Sequence, residues 1–253
     1  MILGGPYSKR ILPGVPEEIL GSIWVRKRSE KSCSKPANCR SEEIRSTTWY
    51  EKMETFHQII KTRRSVRRFQ KRRVSRQIIH KLIASACWAP SAHNAQPWRF
   101  VIFERKELQS KLASEMGNAF RKDLERDHFP PEVIRSRVQK SVERIVEAPL
   151  LILVCLSKEG GHGVPDRRRN RLEEHMAHQS IGAAIQNILL TAHTMGLGAC
   201  WISAPLFCPQ TVMRVLKIRK DWNPAALVLV GYPKEKPKTT SRHPVKKVTL
   251  RLQ

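Results

Sequence analysis

The stretch "CWAPSAHNAQPWRFVIF", Cys87 to Phe103, lies between two different periodicities and decides how the chain is read. Upstream, "RQIIHKLIASACWA" places Ile78, Ile79, Leu82, Ile83 and Ala86 at helical spacing. Downstream, "RFVIF" is a short apolar strand. A helix-to-strand connection needs a turn former and some polar residues. This one carries Pro90, Ser91, His93, Asn94, Gln96 and Pro97 together, framed by Trp88 and Trp98. That surplus suggests a loop built to hold a ligand. Ser91 and Asn94 offer neutral donors and acceptors, and Pro90 stiffens the backbone around them. Such a surface can hydrogen-bond the rim of a flat heterocycle. The plainer alternative is a capped helix end, with His93 as a structural hydrogen bonder.

Outward from this loop the two periods continue. Leu108 to Arg126 and Glu132 to Val146 read as amphipathic helices parted by "FPPE". "PLLILVCL" is a buried strand. Glu173 to Met195 is the longest helix, small and apolar through "SIGAAIQNILLTAHTMG". Its Gly182, Ala183 and Ala184 permit close backbone approach, which suits a core or a dimer seam. Gly196 and Gly198 end it in "GLGACWIS", a strand. "PQTVMRVLKI" is a short helix, "AALVLVGYP" a last buried strand, and a basic tail follows. Helices and strands mix without strict βαβ alternation. The fold class expected is therefore an α+β sandwich, a small mixed sheet flanked by helices.

Residues 1–52 have scattered Gly, Pro, Ser and charge without a sustained apolar period, and a poorly packed extension is expected there. Met53 opens "METFHQIIKTRR", a fresh helical pattern and a second candidate start, so the domain is expected over 53–253. Of six cysteines, at 33, 39, 87, 155, 200 and 208, none forms a CxxC pair, which favours reduced thiols. Cys33 and Cys39 alone could form a disulfide or half a metal site. No apolar run reaches the roughly 20 residues of a membrane helix. Prolines interrupt the start where a signal peptide keeps its apolar region, so a cytoplasmic location is expected.

The 253 residues carry a formal net charge of +25. That charge attracts nucleic acid, anionic membrane or phosphate-bearing cofactors. It is densest in "KTRRSVRRFQKRRVSR", Lys61 to Arg76, and in "DRRRNR", Asp166 to Arg171. Clustered guanidinium groups at the end of a short helix can clamp phosphate, and Ser65 adds a hydroxyl. A solvated basic face or a nucleic-acid stripe fits the same run. Against the latter, the run has no aromatic but Phe69, and no DNA- or RNA-binding signature accompanies it. His175 and His178 share a helix face but have only Glu173 and Glu174 nearby to complete a metal site. There is no GxGxxG, Walker loop or Ser–His–Asp pattern.

In combination, Arg63-Arg64-Ser65-x-Arg67, "APSAHNAQPW", "GAAIQNILLTAHTMGLGACW" and "GYP" with its basic tail resemble the FMN-dependent nitroreductase family. Within it, "RRSVR" and "EEHMAHQSIGAAIQN" look closest to the FMN-binding domain attached to deazaflavin γ-glutamyl ligases. The 52 preceding residues are too few to supply a ligase portion. The resemblance implies an intertwined homodimer with FMN at the subunit interface. It implies that Arg63, Arg64, Ser65 and Arg67 grip the phosphate and flavin edge from one subunit. Pro90, Ser91, Ala92 and Asn94 would come from the other, Ser203 would lie near the reactive ring nitrogen, and Arg242 would reach the phosphate. A hydride would pass from NAD(P)H, or another reduced carrier, through FMN to an electron-poor small-molecule acceptor. Two further readings stay open: an FMN protein of deazaflavin coenzyme metabolism, and a basic nucleic-acid-binding module.

Overall fold

The computed structural model describes residues 55–157, 159 and 166–252. The expected extension over 1–52, with Cys33 and Cys39, lies outside them.

Helix α1 is described over 55–62. Helix α2, Arg76–Cys87, begins where the Ser75 hydroxyl accepts from the Ile78 amide at 3.4 Å. Strand β1, Trp98–Ile102, follows the loop. Helices α3, Lys106–Arg126, and α4, Pro131–Val146, come next, with Pro131 at a first-turn position where its missing N–H is no loss. Then come strand β2, Leu150–Ser157, helix α5, Arg167–Thr194, and strand β3, Gly198–Ile202. Helix α6, Pro209–Leu216, and strand β4, Trp222–Gly231, complete the layers.

The sheet order is β1-β2-β4-β3, and each of the three pairings is antiparallel. The mixed character expected of the sheet survives only at its β3 edge, where Ser65 bridges Ala199 in parallel. All of β2 is buried, and β4 is buried from Pro224 onward. Alternate side chains therefore enter two different cores. Ile152, Val154, Val228 and Val230 meet Leu82 and Ala86 of α2 and Ile181, Ile185 and Ile188 of α5. Leu151, Leu153, Leu227 and Leu229 meet Leu112, Ala113 and Met116 of α3 and Val212 of α6. Each such side chain contributes about 1.5–3 kcal/mol on burial, and helices must cover both faces to realise it. This is the α+β sandwich that the periodicities require.

Two boundaries differ from expectation for physical reasons. Helix α5 starts at Arg167 rather than Glu173, because the Asp166 carboxylate caps it by accepting from the Arg168 amide at 2.9 Å. No residue from 167 to 179 is buried, so this part of the helix carries no apolar stripe to announce it. Strand β4 starts at Trp222, running through Pro224. Proline is tolerated there because β4 has outrun β3, whose last pair is Ile202 with Leu227, and because the register with β2 shifts at this point, Val154 facing Ala226 and Cys155 facing Pro224, so that Ala225 is the extra residue on β4. Among the described residues, no helix is long and apolar enough to cross a membrane.

Candidate functional site

Helix α1 ends where the basic run begins, and the chain then lies along the edge of the sheet. The Val66 amide donates to the Ala199 carbonyl at 3.0 Å, and Val66 itself is buried. A Cβ on Gly198 would fall 2.5 Å from the Val66 Cβ, so glycine is what lets this segment close on β3. Further along, the Gln70 amide donates to Tyr232 and the Lys234 amide donates to Arg68, at 2.9 and 3.1 Å. Residues 65–70 are thus sewn between β3 and the exit of β4, which brings the C-terminal tail beside them.

The result is a cavity of about 750 Å³ whose walls include Arg63, Arg64, Ser65, Arg67 and, from the tail, Arg242. The structure brings these five expected residues together. Arg64 Nη1 donates to the Lys61 and Arg63 carbonyls at 2.6 and 2.8 Å. Its Nε is buried and has no partner among the described residues. Arg63 is held below the ordinary arginine pKa by burial first, then by Arg242 and Arg64. Among the described residues, none of Arg63, Arg64, Arg67 and Arg242 forms a salt bridge. Crowded cations with an orphaned guanidinium nitrogen are unfavourable as they stand, and an anion with several acceptor oxygens relieves them. The donor set fits a phosphate monoester.

Behind the clamp is a pair of residues that sequence reasoning missed. The Thr62 hydroxyl donates to the Gln58 carbonyl at 2.5 Å, which leaves its oxygen to accept from His193 Nε2 at 2.9 Å. His193 titrates below 6.5, through burial first and then through Arg63 and Arg64. The two partners lie 131 positions apart, so no spacing pattern could have paired them. Their bond ties the end of α1 to the end of α5, where the arginines are carried.

The loop is built differently. Ser91 Oγ accepts from the Gln96 amide at 3.0 Å, and the Ser91 carbonyl accepts from the Asn94 amide at 3.1 Å. His93, Asn94 and Gln96 hold φ of 54°, 54° and 46°. Three left-handed residues without a glycine among them are costly, by about 1 kcal/mol or more each where the residue is not Asn. Arg99 supports the strained turn, donating from Nη1 to the Gln96 carbonyl at 3.1 Å and from Nη2 to Glu159 at 3.0 Å. Arg219 grips the same Glu159.

Within one chain, Pro90, Ser91, Ala92 and Asn94 are not brought to the arginines. Strands β1 and β3 are opposite edges, roughly 14 Å apart by strand spacing. Along the strands, the loop joins at the Trp98–Leu156 end, while Ser65 sits level with Ala199, Val230 and Leu150. That adds about 20 Å. Ser203 is exposed just past β3, about 13 Å along the strand from Ala199, and does not line the cavity.

Residues 60–232 match the Nitroreductase family, and the chain belongs to it. Among curated relatives, the 5,6-dimethylbenzimidazole synthase of Rhodospirillum rubrum is 31% identical over 182 residues, covering 68% of this chain and 79% of that one. Among solved structures, a BluB-like flavoprotein of Clostridium difficile superposes with a TM-score of 0.67 at 28% identity, over 78% of this chain and 99% of that one. A Desulfovibrio desulfuricans protein solved in complex with FMN gives a TM-score of 0.60 at 26% identity, over 78% and 95%.

Proposed function

We propose that this chain is an FMN-dependent oxidoreductase that passes a hydride from NAD(P)H through the flavin to an electron-poor small-molecule acceptor. The observation that carries this reading is the cavity whose Arg63, Arg64, Arg67 and Arg242 form no salt bridge among the described residues, with the orphaned Arg64 Nε, a donor set suited to a flavin phosphate. Arg63, Arg64, Arg67 and Arg242 supply charge-assisted donors, and Ser65 supplies a hydroxyl to the same anion. The bound flavin supplies reversible hydride chemistry; the protein supplies position and field. In this reading Ser203 and the backbone beside it, just past the end of β3, would lie near the flavin ring.

The active unit in this reading is a homodimer, with Pro90, Ser91, Ala92 and Asn94 of the second copy lining the ribityl chain and ring. Two features support it. The loop and the clamp of one chain stand at diagonal corners of the sheet. In the tail, Val245 and Val248, one turn apart on a short helix, and Leu250 and Leu252 beyond it are exposed apolar side chains that a partner chain would cover. The free thiols at Cys87, Cys155, Cys200 and Cys208 agree with a cytoplasmic setting. Family membership gives the arginine cluster a use in a cofactor site and favours neither the deazaflavin role nor the nucleic-acid module.

The test is the visible spectrum of the purified protein, followed by identification of the chromophore released on denaturation. FMN at one per chain, reduced by NAD(P)H and reoxidised by a nitroaromatic or quinone, is the expected result. A colourless protein that takes up no added FMN would overturn the reading. A second reading is favoured by the likeness to a 5,6-dimethylbenzimidazole synthase. Detection of 5,6-dimethylbenzimidazole in turnover mixtures would establish it, and acceptor reduction without that product would leave the first.

A further inference from the structure

Two cavities meet at the Arg63–Val66 segment. The larger is the arginine-lined one, which also takes in Lys140 and Arg144 of α4 as a further wall. The smaller, of about 220 Å³, lies between the ends of α1 and α5 and the start of the tail. Arg63, Arg64 and Val66 line both, whereas Thr62 and His193 line only the smaller one. His193 is joined to this shared wall by a chain of two hydrogen bonds. Its Nε2 donates to Thr62 Oγ1 at 2.9 Å, and Thr62 Oγ1 donates to the Gln58 carbonyl. Thr62 immediately precedes Arg63, so the chain fixes the point from which Arg63 and Arg64 leave α1. The Nε2 proton is committed to Thr62 in the neutral ring and in the charged one. His193 can therefore gain a second proton at Nδ1 without giving up the tie. The smaller cavity has room for several waters, at about 30 Å³ each, to deliver that proton.

The groups around the ring set its charge. Arg63 and Arg64 face it from the sheet edge, Leu197 and Ala199 from the approach to β3 and its first turn of chain, and Pro233 and Pro237 from the tail. Among the described residues, no carboxylate lines this cavity. His193 lies in the last turn of α5, where the free carbonyl ends favour a cation. Burial first, and then the two arginines, outweigh that and hold the ring below its ordinary pKa. An anion beside Arg63 and Arg64 cancels much of their field.

We propose that His193 is a positioning residue of the phosphate clamp, acting through Thr62, and that it takes up a proton from solvent when a phosphate monoester fills the clamp. This rests on the reading of Arg63, Arg64, Ser65, Arg67 and Arg242 as that clamp. The charged ring makes a stronger, charge-assisted bond to Thr62 and so holds Arg63 and Arg64 on the bound anion. Anion binding and proton binding strengthen each other by the same factor. Flavin affinity accordingly rises as the pH falls from the pKa of His193 in the bound state to the lower one in the free state, and is level outside that window.

The experiment titrates the flavin-free full chain with FMN from about pH 5 to about pH 8.5, on the wild type and on His193→Gln, His193→Ala and Thr62→Val. The second ionisation of the FMN phosphate, near about 6, affects all four alike, so the ratio of each variant to the wild type is what is read. His193 is only partly buried, and Gln and Ala are good helix formers, so the fold is retained in both. At about pH 8, His193→Gln, whose amide can still donate to Thr62, should bind FMN within about twofold of the wild type. His193→Ala and Thr62→Val, which lose the tie, should each bind it about threefold to tenfold more weakly. Towards about pH 5.5 the wild type should gain about a further threefold to tenfold over both His193 variants. Calorimetry in two buffers of different ionisation enthalpy should show the wild type taking up more protons per FMN than either. If the ratios do not move with pH, or if His193→Ala binds FMN as the wild type does at about pH 8, the proposal is overturned and the flavin reading survives. If the wild type binds no flavin at any pH, both fall.

Discussion

The edge at Arg63–Arg67 and the loop at Cys87–Pro97 are the two regions that the family resemblance assigns to one cofactor, and they are built on opposite terms. The edge is cationic, half-buried and short of counter-charges, while its backbone is ordinary extended chain sewn to β3 and β4. The loop is neutral in its expected contacts and saturated with short internal hydrogen bonds, and its strain lies in the backbone, at His93, Asn94 and Gln96. One region stores unfavourable electrostatics and the other unfavourable torsions. Each cost is one that a ligand or a second chain can offset, and neither region does so for the other, since they stand at diagonal corners of the sheet. On the proposed homodimer, the comparison teaches that one chain would supply the halves of two different sites.

The comparison is broken most directly at the charged half. Replacing Arg63 and Arg67 together with Ala should weaken flavin binding by about 100-fold or more, at about 1.5–3 kcal/mol per charge-assisted contact. Thermal melts of the flavin-free variant should show a folded protein, because relieving crowded cations does not cost stability. Unchanged flavin retention would remove the phosphate assignment. Next in size, Gly198→Ala forces a Cβ against Val66 and should destabilise the fold by about 1–3 kcal/mol in urea unfolding. Full stability in that variant would mean that the 65–69 segment is not held against β3.

At the neutral half, Asn94→Val puts a β-branched residue at φ of 54° and should cost about 1–2 kcal/mol. The flavin off-rate should rise with it, measured by stopped-flow fluorescence. A smaller effect concerns the bond behind the clamp. Because the folded chain holds His193 below 6.5, the unfolded chain binds a proton that the folded one resists. Stability from this residue is therefore complete above about pH 6.5 and is lost as the pH falls below it. A phosphate in the clamp opposes the field of Arg63 and Arg64, so FMN should flatten the pH dependence of the melting temperature. His193→Gln should flatten it without FMN. The smallest change is expected at the support of the loop: Glu159→Gln removes partly exposed ion pairs to Arg99 and Arg219 and should cost less than about 1 kcal/mol. High salt should erase the difference.

Much of the layer structure was legible because apolar residues obey periods of 2 and 3.6 whatever surrounds them. The eight residues of β2 and the Ile78–Ala86 stripe of α2 announce themselves locally. The start of α5 did not, because an Asp cap followed by exposed arginines carries no period. At the site, the arginine cluster is legible in the sequence, and its proposed use as a phosphate clamp follows only in company with the other motifs. The Thr62–His193 bond and the wall supplied by Lys140 and Arg144 were not legible at all. They join residues far apart in the chain by a proximity that only packing creates.

By itself, then, the sequence determined the alternation of elements, the two buried central strands and the chemistry available along Arg63–Arg67 and Pro90–Asn94. Those follow from side-chain type and spacing, which are local properties. Only the tertiary structure decided which of these groups share a cavity, which cations lack a counter-charge, and that the loop and the clamp stand at opposite corners of one chain. These are consequences of strand order and register. No short-range pattern encodes either, because they are set by the free energy of the whole packed sandwich.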